Sequence, residues 1–195
     1  MIKVVLIDAD GIVVTGKRFT DRLFEDYGIS PNEVMLFFKN EFKQCTLGRL
    51  DLKEELEKCM SSWGWRKSAD ELLDFWFSGD EVQEQVLAVI DRLKNAGVAC
   101  YLVSDNEKHR ARYLMTKLGL GKRFDGAFFS CDLGYKKSDK QFFKAVLKHV
   151  SDIKPEEIFY WDDDEKNVEI ANGLGIQGKL YTSFGDFERA TMGSL

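Results

Sequence analysis

No run of apolar residues in this chain approaches the ~20 needed to cross a bilayer, and no small-residue cleavage site follows the short apolar stretch after Lys3. Neither a membrane span nor a secretory signal is legible, and a cytoplasmic location is expected. Cysteine is sparse: Cys45, Cys59, Cys100 and Cys131 form no pair at metal-ligand spacing, and each stands in an apolar context. That pattern argues against structural zinc and against disulfides. Positive charge is short as well. The 28 Lys and Arg against 33 Asp and Glu leave a net charge of -5, the wrong sign for a general nucleic-acid backbone binder. There are only two histidines, His109 and His149, both inside helical patterns, and surface positions are expected for them. Internal repeats and low-complexity linkers are also missing, and nothing in the pattern speaks to oligomeric state. What remains is a globular composition, 44% hydrophobic and 31% charged over 195 residues. This length suits one ordinary domain, or a core carrying a smaller insertion.

The chain opens on its densest apolar run, Ile2-Lys3-Val4-Val5-Leu6-Ile7, which ends at Asp8-Ala9-Asp10-Gly11. Such a run reads as a strand buried on both faces, as in a parallel sheet covered by helices. Asp8 and Asp10 are two residues apart, so in extended chain they leave on the same side and crowd two charges at one strand end. Ile12-Val13-Val14 reads as loop. From Gly16 to about Phe77 the period is helical: Phe19, Leu23 and Tyr27 repeat at i, i+4, i+8, and Ser30-Pro31-Asn32-Glu33 has a helix-start signature. Val34, Phe37, Phe38 and Phe42 would share one face of that helix. Further starts stand at Asp51 and at Ser68-Ala69-Asp70-Glu71. The Phe and Trp residues of this block read as its core rather than as a stacking platform.

After Asp80 helices and strands alternate. A helix marked by Val82, Val86, Val89, Ile90 and Leu93 precedes strand Val98–Val103, which ends at Ser104-Asp105. Strand Gly126–Ser130 leads into the loop holding Lys136-Lys137, Ser138 opens a helix, and strand Ile158–Trp161 runs into Asp162-Asp163-Asp164. Gln177–Tyr181 forms a fifth strand. Strands spaced by helices predict a parallel sheet with right-handed crossovers. In such sheets ligands bind beyond the carboxyl ends of the strands, which collects Asp8, Asp10, Ser104, Lys137, Asp162 and Asp163 at one edge. Alone, the Asp8 and Asp10 pair, Ser104 and the acidic run at Asp162 each read as turn, cap or helix-start residues. Together, that many acids require a neutralising cation and the lysine, and hard oxygen ligands suit magnesium.

The series Asp8-Ala9-Asp10-Gly11, Ser104 after a hydrophobic strand, Lys137 after Gly134-Tyr135, and Asp162-Asp163 followed by Asn167 resembles the haloacid dehalogenase (HAD) superfamily of hydrolases. The resemblance covers nearly the whole chain, and the helical block resembles the cap of the subfamily with a helical C1 cap. It implies an α/β fold: a Rossmann-like three-layer core with a parallel sheet, residues 1–15 and 79–195, and a small all-helical cap, residues 16–78, inserted after the first strand. It implies a magnesium-dependent phosphatase acting on a small phosphorylated metabolite. In that pattern Asp8 is the nucleophile, Asp10 the general acid and then base, and Lys137 stabilises the nucleophile and phosphoryl group. Ser104, Asp105 and Lys137 form the phosphate-binding set, Ser104 hydrogen-bonding a phosphoryl oxygen. Mg2+ is held by Asp8, the main-chain carbonyl of Asp10 and Asp163, with Asp162 assisting directly or through water.

Four positions depart from the pattern. Ile12 stands where Thr is frequent, Asp105 where Asn is common, and Ser138 where Pro often follows the lysine. Lys136 beside Lys137 leaves two registers, of which the family spacing favours Lys137. Asp10 speaks against a dehalogenase acting at carbon, which lacks the second aspartate. A phosphomutase of sugar phosphates and a non-catalytic regulatory binding protein are the competing readings. The charged positions are all present, against the second of these.

Overall fold

The computed structural model describes residues 1–194; Leu195, the last residue of the expected core segment, lies outside the described residues. Strand β1 (Val4–Asp8) is buried at every position. Its pleat splits the apolar run between two layers: Val5 and Ile7 join one hydrophobic cluster, Val4 and Leu6 the other. A tight turn at Asp10–Gly11 leads into the short β2 (Val14–Gly16). Five helices follow: α1 (Phe19–Tyr27), α2 (Pro31–Lys39), α3 (Glu41–Cys45), α4 (Leu52–Cys59) and α5 (Ala69–Phe77). Ser30 and Ser68 close capping boxes with Glu33 and Glu71, and Asp51 caps α4. The single helix expected through Phe42 breaks at Asn40, whose φ of -118° and ψ of -87° leave the helical region.

Strand β3 (Asp80–Val82) returns antiparallel to β2, pairing Val14 with Val82 and Gly16 with Asp80. The loop expected at Val14 and the helical reading of Val82 therefore give way to a two-stranded ribbon. Three-residue strands are too short for alternation to register. The chain then alternates: α6 (Glu84–Asn95), β4 (Ala99–Ser104), α7 (Lys108–Arg112) continued by a π turn over Tyr113–Lys117, β5 (Gly126–Phe129), α8 (Ser130–Leu133), α9 (Lys140–His149), β6 (Ile158–Asp162), α10 (Glu165–Asn172), β7 (Gln177–Leu180) and α11 (Phe184–Met192). Asp139, not Ser138, caps α9, accepting from the Gln141 amide at 2.9 Å.

All five sheet strands run parallel in the order β5-β4-β1-β6-β7, the Rossmann-like three-layer α/β arrangement. Val86, Leu93 and Phe187 of α6 and α11 cover one face; Phe142, Phe143 and Ala171 of α9 and α10 cover the other. The helical block holds a third cluster of its own, including Leu23, Val34, Leu56 and Leu72.

This block docks closely on the sheet layers. Ser130 Oγ donates to the Thr46 carbonyl at 2.6 Å. Gly48 has φ +70°, and a Cβ there would lie 2.1 Å from the Cys131 carbonyl oxygen, so only glycine permits the approach. His109, expected at the surface, is instead half-buried with Nε2 2.9 Å from the Asp51 carboxylate, bridging α7 to the cap of α4. His149 is exposed. All four cysteines are free thiols, and no helix among the described residues is long and apolar enough to cross a membrane.

Candidate active site

Parallel register aligns the strand ends. Asp8 pairs with Val103 in β4, one residue short of Ser104, while Ile7 pairs with Trp161 in β6, one short of Asp162. The expected residues therefore meet beyond one edge of the sheet. Lys137, buried in the loop before α9, places its Nζ 2.6 Å from Asp8 Oδ2 and 2.8 Å from Asp162 Oδ2. Lys136, its neighbour, makes no comparable contact among the described residues.

Asp8 and Asp162 are both buried but differently satisfied. Asp162 accepts hydrogen bonds from the Tyr160 hydroxyl, Lys137 and the Asp164 amide, with Asn167 Nδ2 at 3.3 Å. Asp8 has only the lysine, and its Oδ1 is buried without a hydrogen-bond partner. Burial pushes the Asp8 carboxyl well above the ordinary carboxylate range against the pull of Lys137, and Asp162 adds to the rise. Burial would lower Lys137, yet the two carboxylates outweigh it and hold the ammonium protonated.

One oxygen from each of Asp8, Asp162 and Asp163 falls within 4.8 Å of the others. Gly11 makes room for this cluster: its φ is +85°, and a Cβ would lie 2.3 Å from Asp163 Oδ2. Three carboxylates at such spacing repel, and the orphaned Asp8 oxygen faces the loss of its hydration. A hard divalent cation fits this donor set.

Asp10 lies at the turn into β2, its side chain half exposed. Three groups hold it: Arg110 Nη2 at 2.5 Å from Oδ1, Asn106 Nδ2 at 2.8 Å from Oδ2, and Ser104 Oγ at 3.3 Å from Oδ2. Burial favours the neutral acid, but the Arg110 guanidinium with its hydrogen bond, and then Asn106, hold the Asp10 carboxyl below its usual range. Arg110 also pairs with Asp80 at the start of β3. Asp105 Oδ1 accepts from the Lys137 amide at 2.9 Å, bracing the lysine loop; burial raises its pKa against that bond.

Asn106, Arg110 and Asp80 were not among the expected residues. Asn106 and Arg110 stand two and six positions after Ser104: Asn106 just before the α7 cap, and Arg110 in the first turn opened by Glu107, whose carboxylate accepts from the His109 and Arg110 amides. A single basic residue in a helix also holding Lys108 and Arg112 carries no distinguishing signal. The Ser-x-Asn spacing after a buried strand was the available clue. A cavity of about 530 Å³ opens over Asp8, Asp10, Asn106 and Asp163, and its wall includes Phe19, Phe42 and Trp76 of the helical block.

This architecture has known counterparts. A HAD family enzyme from Bacteroides thetaiotaomicron, solved with magnesium and inorganic phosphate, superposes with a TM-score of 0.79 at 22% identity over 93% of this chain and 95% of that one. A predicted HAD-like family hydrolase from Porphyromonas gingivalis gives 0.78 at 24% identity over 92% and 91%. By sequence, the sesquiterpene phosphatase astK of Aspergillus oryzae is 32% identical over 97 residues, 48% of this chain and 47% of that protein. This chain thus spans about half the length of that relative. The family model for haloacid dehalogenase-like hydrolases matches residues 2–175, nearly the full set of elements described above. The chain belongs to the haloacid dehalogenase-like hydrolase family.

Proposed function

We propose that this hydrolase is a magnesium-dependent phosphatase of small phosphorylated metabolites, working through an aspartyl-phosphate on Asp8. The observation that carries the reading is the state of Asp8: a buried carboxylate touched by one ammonium, with one oxygen unpartnered, facing a cavity that Asp10 also lines. The likeness to a phosphatase over half of the chain, and the magnesium and phosphate bound by the Bacteroides enzyme, support it.

Asp8, Asp163 and the main-chain carbonyl of Asp10 would hold Mg2+, which supplies charge neutralisation for the carboxylates and the transferring phosphoryl group. The Asp8 carboxylate attacks phosphorus, and the bond from phosphorus to the ester oxygen breaks. Asp10, ionised while Arg110 holds it, takes a proton from solvent as its half-exposed side chain turns away from that partner, and gives the proton to the departing oxygen. Asp10 then accepts a proton from water as the water attacks phosphorus, the bond to Asp8 breaks, and inorganic phosphate departs. Lys137 stabilises the charge on Asp8 and the phosphoryl group throughout, and Ser104 donates to a phosphoryl oxygen.

The hydrogen-bond inventory divides the remaining acids. Both oxygens of Asp162 already accept, which suits a role in fixing Lys137. Asp105, an acceptor for the lysine loop, positions that loop beside the phosphate. We read residues 16–78 as a cap over a core of residues 1–15 and 79–195, the cap closing the cavity against water. Phosphate release from an aryl phosphate, compared with magnesium and with EDTA and repeated with Asp8→Asn, tests the reading. Release is expected to need the metal and to vanish in the variant; equal release by both proteins would refute it.

A further inference from the structure

The cavity over Asp8 has two chemically different ends, and the wall contributed by the helical block is the informative one. Residues 17–77 supply Lys17, Arg18, Phe19, Phe42 and Trp76 to the lining, and no hydroxyl, carboxamide or carboxylate. The three rings form one continuous surface. Phe19 stacks on Trp76 with centroids 4.3 Å apart and planes 13° from parallel, and Phe42 lies 5.3 Å from Trp76. Phe42 and Trp76 are only half-buried, so part of each ring meets the cavity instead of the hydrophobic cluster behind it.

Most polar side chains along the upper wall are already matched to protein partners. Thr15 Oγ1 accepts from Gln83 at 2.7 Å, Lys17 pairs with Glu25, and Asp80 with Arg110. Arg18 is the exception, its guanidinium having no side-chain partner among the described residues, so a leaving group rich in hydroxyls would find that donor on this wall but few further partners for the hydration it gives up, a loss that disfavours binding. An apolar group would instead cover ring faces that otherwise meet water. The volume, about 530 Å³, lies within the roughly 300–1,000 Å³ of small-molecule sites, room for a phosphoryl group and a sizeable organic substituent.

We infer that the phosphate esters this site prefers carry an apolar alkyl, alkenyl or aryl leaving group lying against Phe19, Phe42 and Trp76, and not a polyol or sugar. The inference rests on the phosphatase reading of Asp8.

The test is phosphate release, in magnesium, from matched monoesters: hexyl, geranyl and benzyl phosphate against glycerol phosphate and glucose 6-phosphate. The apolar esters are expected to exceed the polyol esters in kcat/KM by at least roughly 10-fold, the scale of apolar pocket discrimination. Trp76→Ala and Phe42→Ala should each collapse most of that ratio. Asp8-dependent turnover of the polyol esters equal to or above that of the apolar ones overturns the inference and leaves the phosphatase reading standing. So does an unchanged ratio in both folded variants. Release from none of the esters overturns the phosphatase reading and the inference together. The wild-type series decides the matter alone if a variant does not fold.

Discussion

Replacing Lys137 by methionine should destabilise the metal-free protein, and Asp8 should carry most of the cost. The ammonium lies 2.6 Å from one carboxylate and 2.8 Å from another. At an effective dielectric constant of about 20 each contact is worth about 6 kcal/mol of Coulomb energy, against a desolvation penalty of several kcal/mol per buried ion. Removing one partner of such a group typically costs about 3–5 kcal/mol, because the remaining charge is left buried and unpaired. Asp162 keeps Tyr160, Asn167 and the Asp164 amide after the change; Asp8 keeps no side-chain donor. Lys137→Met should therefore lose about 3–5 kcal/mol in urea unfolding with EDTA. Asp8→Asn added to it should restore more of this than Asp162→Asn. Magnesium should also restore part, since a cation bound to the folded state alone adds stability by mass action. A loss under about 1 kcal/mol, or equal rescue by the two Asn changes, would refute this account of how the buried charges are balanced.

Three further expectations concern separate groups. Asp10→Asn should lower turnover of an aryl phosphate on the order of 10²–10⁴-fold and leave phosphorylated protein accumulating, visible by intact mass; near-normal turnover would remove Asp10 as acid and base. Gly11→Ala should cost about 1–2 kcal/mol for its left-handed backbone and, by displacing Asp163, weaken the stabilisation that magnesium confers in thermal melts; an unchanged magnesium response would show that Asp163 does not hold the ion. Burial pushes the thiols of Cys45, Cys100 and Cys131 up to about 12 and that of Cys59 to about 11. At pH 8 nearly all four are therefore protonated and unreactive. Iodoacetamide should label the native protein slowly, Cys59 first, and all four rapidly after unfolding.

The sheet was legible because its strands are long apolar runs bounded by glycine and charge: β1, β4 and β6 each announce themselves within a few residues. The helix starts were legible for a different reason. Ser30, Asp51 and Ser68 place oxygen acceptors where free amides must be satisfied. What escaped was short or irregular. The β2–β3 ribbon offers three residues a side, the break at Asn40 interrupts an otherwise continuous apolar face, and α11 follows the fifth strand with its start marked only by Ser183. The cap of α9 moved by one residue because Ser138 and Asp139 are both good caps, and only the backbone decides which of them turns outward.

Among the site residues, the period-2 spacing of Asp8 and Asp10 and the strand-end positions of Ser104 and Asp162 brought them together on topology alone. Their partners could not be read the same way. Asp8, Asp162 and Asp163 are the same residue type within one edge, yet one has a single ammonium contact, one is saturated with donors and one is exposed. Such differences arise from loop geometry around Lys137 and Gly11, not from residue type. Arg110 shows the same limit from the opposite sign. Among the basic residues of α7 it is the one held between Asp10 and Asp80, because helical spacing from the Glu107 cap turns it, and not Lys108, toward the cavity. A charge pattern thus locates an edge where chemistry can occur, while the assignment of each charge to a task depends on which neighbours the fold has already given it.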